Sequence, residues 1–88
     1  YNLNMPYGIF VTETTALYVA DCGNDRVQLF HYGNNNATTV AGNGSTGTIQ
    51  LRCPMAVTLD GNGYLFIVDR SNHRVVGQDE SGFRCVVG

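Results

Sequence analysis

Lysine and tryptophan are absent from this sequence, and charged residues of either sign make up only 14% of it. The five cationic residues are all arginines, and the formal net charge is -2. Binding to nucleic acid or to an anionic membrane surface relies on clustered Lys and Arg side chains that neutralise phosphates. We therefore expect no nucleic acid and no membrane among the partners of this protein.

Long hydrophobic runs are also missing. The longest apolar runs, residues 16–20 and 64–68, are far shorter than the roughly 20 residues of a membrane-spanning helix. A signal peptide begins with a positively charged stretch that is followed by an apolar run. The sequence starts at Tyr1 and has no such pattern there, so we expect any signal peptide, and more of the protein, outside this sequence. A chain of 88 residues suits one small domain, which usually needs covalent staples or partners to be stable.

An internal repeat divides the chain into two halves. When the sequence is aligned with itself so that Pro6 falls on Pro54, further identical residues coincide: Leu17 and Leu65, Asp21 and Asp69, Asn24 and Asn72, Arg26 and Arg74, Val27 and Val75. We call this alignment the repeat register and residues that it pairs counterparts. Near the end of each half the register shortens by two positions, so that Val40 and Gly42 match Val86 and Gly88. Such a repeat predicts two copies of one supersecondary unit.

Short apolar runs separated by turn residues fill both halves, and no run has the period of a helix. The predicted strands are residues 8–12, 16–20, 26–30 and 38–41, then 56–59, 64–68, 74–78 and 83–87. Turns are predicted at residues 13–15, 22–25 and 32–36, and residues 60–63 (Asp-Gly-Asn-Gly) suit a tight hairpin. The sequence therefore predicts an all-β fold of two four-stranded antiparallel sheets with essentially no helix.

Three segments carry a closer match to a known family. They read PYGIFV at residues 6–11, LYVADCGNDRVQLF at 17–30 and YLFIVDRSNHRVV at 64–76. These segments resemble NHL repeats, and the resemblance covers nearly the whole chain. It implies a β-propeller, six-bladed in the usual case, of which this chain would form two four-stranded antiparallel blades.

The repeat sets the boundaries of the implied blades. Residues 1–5 are predicted as an inter-blade linker, 6–42 as the first blade, 43–53 as a Gly-rich connector and 54–88 as the second blade. Two positions depart from the pattern of the NHL family: its His appears only at His73, where the first half has Asp25, and Gly8 of the first half is Ala56 in the second. The segments TVAGNG at 39–44 and GFRCVVG at 82–88 are similar to extracellular NHL arrays of invertebrates.

One polar trio occurs at the same turn in both halves: Asp21, Asn24 and Arg26, then Asp69, Asn72 and Arg74. The acid follows a strand, the amide lies in the turn and the arginine opens the next strand. An Asp can accept hydrogen bonds from turn amides and pair with Arg. A structural clamp of the hairpin and a ligand contact are both open interpretations, and repetition in both halves favours the clamp.

Two motifs resemble ligand loops without meeting their requirements. Gly42, Gly44 and Gly47 fit G-x-G-x-x-G, but no helix is predicted after them to hold a pyrophosphate. The turn at residues 60–63 resembles a calcium loop, but Tyr64 stands at the fifth position and Ser71 at the twelfth, where a bidentate Glu is needed. We expect a flexible connector and a hairpin turn instead.

The remaining candidates for chemistry are isolated. His31 and His73 have no third ligand at metal-binding spacing. Ser45, Ser71 and Ser81 lie in turn segments, where no base can be matched to them from sequence. We therefore predict no catalytic residue, no metal site and no cofactor.

Two N-glycosylation sequons flank the outermost predicted strand of the first half. They are Asn36-Ala37-Thr38 and Asn43-Gly44-Ser45, both in polar loops. We predict an N-linked glycan on at least one of the two asparagines.

Three cysteines, Cys22, Cys53 and Cys85, give an odd count, which in an oxidising compartment leaves one without a partner in the sequence. In a blade arrangement the second strand ends where the next blade begins, so Cys22 and Cys53 can meet. Cys85 lies on an outermost strand, about 14 Å from the first strand and beyond disulfide reach. We predict a Cys22–Cys53 disulfide; three buried thiols in a cytosolic protein are the alternative.

The resulting hypothesis is a non-catalytic, secreted propeller segment that acts as a structural or protein-interaction scaffold. Its expected partners are further blades of the same chain or copies of itself, in a ring or a filament, together with other extracellular proteins. Residues 17–20 and 64–68 are expected on the sheet faces buried in that packing. The alternative is a fragment of a propeller enzyme similar to amidating lyases or lactone hydrolases; RNA-binding NHL domains are a third class.

Overall fold

A computed structural model describes residues 3–13, 16–33, 36–45 and 49–88. The strands are β1 (Pro6–Val11), β2 (Ala16–Asp21), β3 (Arg26–His31), β4 (Ala37–Gly42), β5 (Pro54–Leu59), β6 (Leu65–Asp69), β7 (Arg74–Asp79) and β8 (Gly82–Val87). In the described ranges the helical structure consists of two 3₁₀ turns, Cys22–Asn24 and Arg70–Asn72. Residues 1–2, 14–15 and 34–35 of the predicted linker and turns, and Gly47 of the glycine motif, lie outside the described residues.

The strands form two antiparallel sheets in sequence order, β1-β2-β3-β4 and β5-β6-β7-β8. The predicted all-β fold with two four-stranded sheets is confirmed. Each sheet is a meander because every connection joins neighbouring strands. No helix in the part of the chain that the structure describes is long and apolar enough to cross a membrane.

The hairpin between β5 and β6 shows how a local sequence sets the strand register. The Asp60 carboxylate accepts hydrogen bonds from the backbone N–H groups of Asn62 and Tyr64, at 2.8 and 2.9 Å. Gly63 has φ +85°, a conformation that glycine adopts without steric cost. The chain therefore reverses at residues 60–63 and pairs Leu59 with Leu65.

The two halves repeat each other in backbone detail as well as in sequence. Both sheets have a register shift at the start of the first strand, between Pro6 and Gly8 and between Pro54 and Ala56. The positive φ of Met5 (50°) recurs at its counterpart, Cys53 (51°). The repeat register of the sequence therefore relates equivalent positions in space.

The core lies between the two sheets, where β5 packs against β1 and β2. Its buried side chains are Ala20, Val27 and Ala41 from the first sheet, Leu51 from the connector, and Val57, Leu65, Ile67 and Val76 from the second sheet. The first-sheet residues are partners in one cross-strand row, so they share a face. One face of each sheet is thereby covered by the other sheet.

Gly8 is a point of close approach between the sheets. A Cβ atom there would lie 2.3 Å from the carbonyl oxygen of Met55 and 2.8 Å from the Cα of Ala56. Such contacts are impossible for a side chain, so the approach of β5 to β1 requires glycine at this position.

Each sheet also has an outer face, directed away from the other sheet. The first outer face is the side of the first sheet that carries Ile9 and Val11, which are 65% and 51% exposed. The second outer face is the side of the second sheet that carries Ala56, Val68, Val75 and Val87, which are partners in one cross-strand row. Because strand residues alternate between faces, both sets point away from the shared core.

Candidate functional site

The first clamp surrounds the end of β2. Asp21 is fully buried, and its Oδ2 atom accepts hydrogen bonds from Asn24 Nδ2 and Arg26 Nε, both at 2.9 Å. Its Oδ1 atom accepts a hydrogen bond from the backbone N–H of Asn4, at 2.8 Å. The carboxylate thus joins the strand end, the turn, the start of β3 and the segment before β1.

The second clamp has the same geometry at the end of β6. Asp69 Oδ2 accepts hydrogen bonds from Asn72 Nδ2 at 2.8 Å and from Arg74 Nε at 2.9 Å. Its Oδ1 atom accepts from the backbone N–H of Arg52 at 2.7 Å. Arg74 Nη2 donates a further hydrogen bond to the carbonyl oxygen of Gln50. The structure therefore brings together all three predicted side chains in each half.

The backbone donors of the two clamps are themselves counterparts in the repeat. Asn4 and Arg52 both lie just before the first strand of their own sheet. Residues of such different type carry no common side-chain signal, so sequence reasoning missed them. The signal that finds them is the repeat register extended to the positions before Pro6 and Pro54.

Electrostatics at the first clamp favour the ionised carboxylate. Burial by itself would raise the pKa of Asp21, but the hydrogen bonds from Asn4, Asn24 and Arg26 and the Arg26 charge lower it by more. The pKa of Asp21 consequently lies below its ordinary value. Both oxygens of this carboxylate are engaged by donors of the chain, which favours the structural interpretation of the trio over a ligand contact.

The disulfide joins the two sheets next to the first clamp. Cys22, in the 3₁₀ turn after β2, is bonded to Cys53, which directly precedes β5, as predicted. Asp25 Oδ1 accepts a hydrogen bond from the Cys53 backbone N–H at 2.9 Å, a link between the halves that sequence reasoning missed. Cys85 is exposed on β8 and is not bonded to either of the other cysteines.

The two sequon asparagines lie at opposite ends of β4. Asn36 directly precedes this strand and Asn43 directly follows it, and both are exposed. The strand is the outermost of its sheet, so a glycan at either position would project from the sheet edge. Glycosylation itself stays a prediction.

A shallow polar cleft runs beside the connector. It is lined by Asp25, Gly42, Asn43, Gly44, Ser45, Ile49, Gln50 and Leu51. Two of its backbone oxygens already have partners in the chain: that of Asp25 accepts a hydrogen bond from Asn43 N, and that of Gly42 accepts one from Ser45 N. We therefore assign the cleft no ligand.

The other residues considered from the sequence are dispersed. His31 ends β3 in the first sheet, and His73 follows the 3₁₀ turn of the second. Ser71 N donates to the Arg52 carbonyl, and Ser81 N donates to Asp79 Oδ1. Among the described residues, no group of three or more His, Cys, Asp or Glu side chains could hold a metal ion.

No family model and no curated protein sequence matches the chain. The features of the chain that bear on its function are the clamps, the disulfide and the two outer faces.

Proposed function

We propose that the chain forms two neighbouring blades of an NHL-type β-propeller that serves as a non-catalytic extracellular scaffold. In this proposal, the clamps and the disulfide hold the two blades rigid, and the outer faces bind further protein. Support comes from the two four-stranded meanders, their covered inner faces and the repeated clamp.

The observation that carries the proposal is the placement of exposed apolar side chains. Ile9 and Val11 on the first outer face are 65% and 51% exposed, and Val68 and Val87 on the second are 43% and 64% exposed. Contiguous apolar surface on a small protein marks an interaction site. Two such surfaces on opposite sides suit a segment that is packed between other units.

Secretion is proposed from the covalent chemistry. Disulfides persist in oxidising compartments and are rare in the cytosol, and this one joins the two halves of the chain. N-linked glycans on Asn36 or Asn43 would lie at the edge strand β4, where they would block pairing with foreign strands. The outer faces would stay available to protein partners.

We expect a single charged side chain on either outer face to prevent self-association of the purified chain. At micromolar concentration the wild-type chain should associate, and Ile9→Asp or Val68→Asp should sediment as a monomer. Losing the burial of one large aliphatic side chain costs about 1.5–3 kcal/mol, or roughly 10- to 100-fold in affinity. Sedimentation velocity measures the change.

Tyr32→Asp is the matched control, because Tyr32 is 67% exposed but lies in the turn after β3 and not on a strand of either sheet. This variant should associate like the wild type. A wild-type chain that is a folded, cooperatively melting monomer at micromolar concentration would refute the scaffold proposal.

A further inference from the structure

We propose that each outer face binds a second copy of this chain, head to tail. The second outer face of one copy packs on the first outer face of the next and repeats the sheet–sheet contact inside the chain. The inference rests on the proposed function and adds the identity and orientation of the partner.

Two exposed side chains of the first half have counterparts that are buried in the contact between the two sheets. Val57 is 6% exposed within the core, whereas its counterpart Ile9 is 65% exposed. Leu51 is 2% exposed, whereas its counterpart Leu3 is 39% exposed. The second half packs on the first sheet through these apolar positions. The equivalent positions of the first half are also apolar, but they are exposed at the first outer face.

The second outer face shows the complementary relation. In the first sheet, the row of Gly8, Ala20, Val27 and Ala41 is covered by the second sheet. Its counterpart is the row of Ala56, Val68, Val75 and Val87. Ala20 and Ala41 are fully buried, while Val68 and Val87 are 43% and 64% exposed. The chain therefore exposes one half of its own interface at each end.

A shallow apolar hollow of about 200 Å³ lies on the second outer face. It is lined by Ala56, Val57, Thr58, Phe66, Ile67, Val68 and Val75. The equivalent surface of the first sheet receives β5, including Val57. Because Ile9 is the counterpart of Val57, we assign the hollow to Ile9 of the next copy.

The edge of the internal contact is repeated too. Leu51 packs so closely on the first sheet that a Cβ at Gly42 would lie 3.1 Å from its Cδ1 atom. The counterparts of these residues are Leu3 and Gly88, and Gly88 shares the positive φ of Gly42. Leu3 of one copy would therefore pack beside Gly88 of its neighbour.

Two departures from the repeat define how the contact between copies differs. The counterparts of Cys22 and Cys53 are Arg70 and Met5, so the contact has no disulfide. Ala56 replaces Gly8, whose approach to β5 leaves no room for a Cβ, so the copies must lie further apart at this strand. The contact is thus non-covalent and looser than its internal counterpart. Because it joins unlike faces, it generates a ring or a filament according to its rotation.

Cysteine pairing between separate chains tests the geometry. In a Cys85→Ser background, one chain carries Met5→Cys and the other carries Arg70→Cys; the two are mixed and oxidised mildly, and the bonds are mapped by non-reducing peptide analysis. The mixture should form a disulfide between the two introduced cysteines. Its rate should be roughly 100-fold above that in a control mixture of Met5→Cys and Tyr32→Cys chains. The reason is that cysteines held together by the contact have a millimolar effective concentration, whereas the chains themselves are micromolar.

Each chain oxidised alone should remain uncross-linked. Cross-linking of Met5→Cys chains with themselves would show like faces in contact and would overturn the head-to-tail inference. Association of the wild-type chain without a bond between positions 5 and 70 in the variant mixture would also overturn it, while leaving the scaffold proposal intact. Absence of any association would contradict both.

Discussion

Replacing Cys22 and Cys53 together with alanine is expected to lower the free energy of unfolding by about 3.7 kcal/mol. The disulfide joins the two sheets and closes a loop with a sequence separation of 31. Its loss raises the conformational entropy of the unfolded chain and thereby lowers the free energy of unfolding. Alanine is chosen because Cys22 is only 4% exposed and a serine hydroxyl there would add a desolvation cost. Urea unfolding at neutral pH measures the change.

Cys85→Ala is the matched control for this prediction. Its side chain is exposed and forms no disulfide, so the substitution should change the free energy of unfolding by less than about 0.5 kcal/mol. If the double alanine variant is as stable as this control, the disulfide does not hold the sheets together. A small domain has only about 5–15 kcal/mol of stability, so the predicted loss would be a large share of the total.

Asp69→Ala is expected to cost about 3–5 kcal/mol, which is typical for removal of one partner from a buried ion pair. Asp69 is fully buried, and its carboxylate accepts hydrogen bonds from Asn72, from Arg74 and from the backbone of Arg52. Removal leaves these three donors without their acceptor, at the point where the chain enters β5. The loss is measured by urea unfolding.

Arg84→Ala provides the contrast. The Arg84–Asp79 ion pair has an N–O distance of 3.5 Å and an arginine side chain that is 72% exposed, and exposed pairs contribute about 0–1 kcal/mol. The loss in free energy of unfolding should therefore be severalfold larger for Asp69→Ala than for Arg84→Ala. Equal losses for the two variants would contradict a structural role for the clamp.

The first clamp gives a second readout through pH. Because the folded-state pKa of Asp21 is lowered, its ionised form adds stability at neutral pH, and this contribution is lost as the pH falls through the folded pKa. The stability difference between wild type and Asp21→Asn should therefore shrink in acid, below the ordinary Asp pKa of about 3.9. A difference that does not depend on pH would argue against the ionised clamp.

The strands and their order could be predicted because apolar alternation and turn residues are local signals. Strand ends were less predictable. β1 begins at Pro6, ahead of the predicted Gly8, because the register shift after Pro6 still allows it to pair with Asp21. β6 begins at Leu65, after the predicted Tyr64, because the Tyr64 N–H bonds to the Asp60 carboxylate.

The clamp could be predicted only in its side chains. Asp, Asn and Arg at fixed spacing indicate an ion pair, but the third donor in each clamp is a backbone N–H, which every residue except proline possesses. The Asp25 contact to Cys53 N was missed for the same reason. Such partners depend on how the halves pack, which the repeat suggests but local patterns do not.

The buried faces were also only partly predictable. Residues 64–68 are apolar throughout, so their sequence does not reveal which face is covered. Within the two sheets Ile67 is fully buried, whereas Val68 is 43% exposed on the second outer face. The repeat removes this ambiguity, since the position equivalent to Val68 is the fully buried Ala20.

In the proposed scaffold, the two outer faces of the chain are incomplete interfaces. Hydroxyl-radical labelling of the wild-type chain at micromolar concentration tests it most directly, with each residue normalised to its labelling in the denatured chain. We expect Ile9 and Val68 to be protected to the level of the buried Val57, while Tyr32, which is 67% exposed, is labelled freely. Labelling of Ile9 and Val68 at the level of Tyr32 would contradict it.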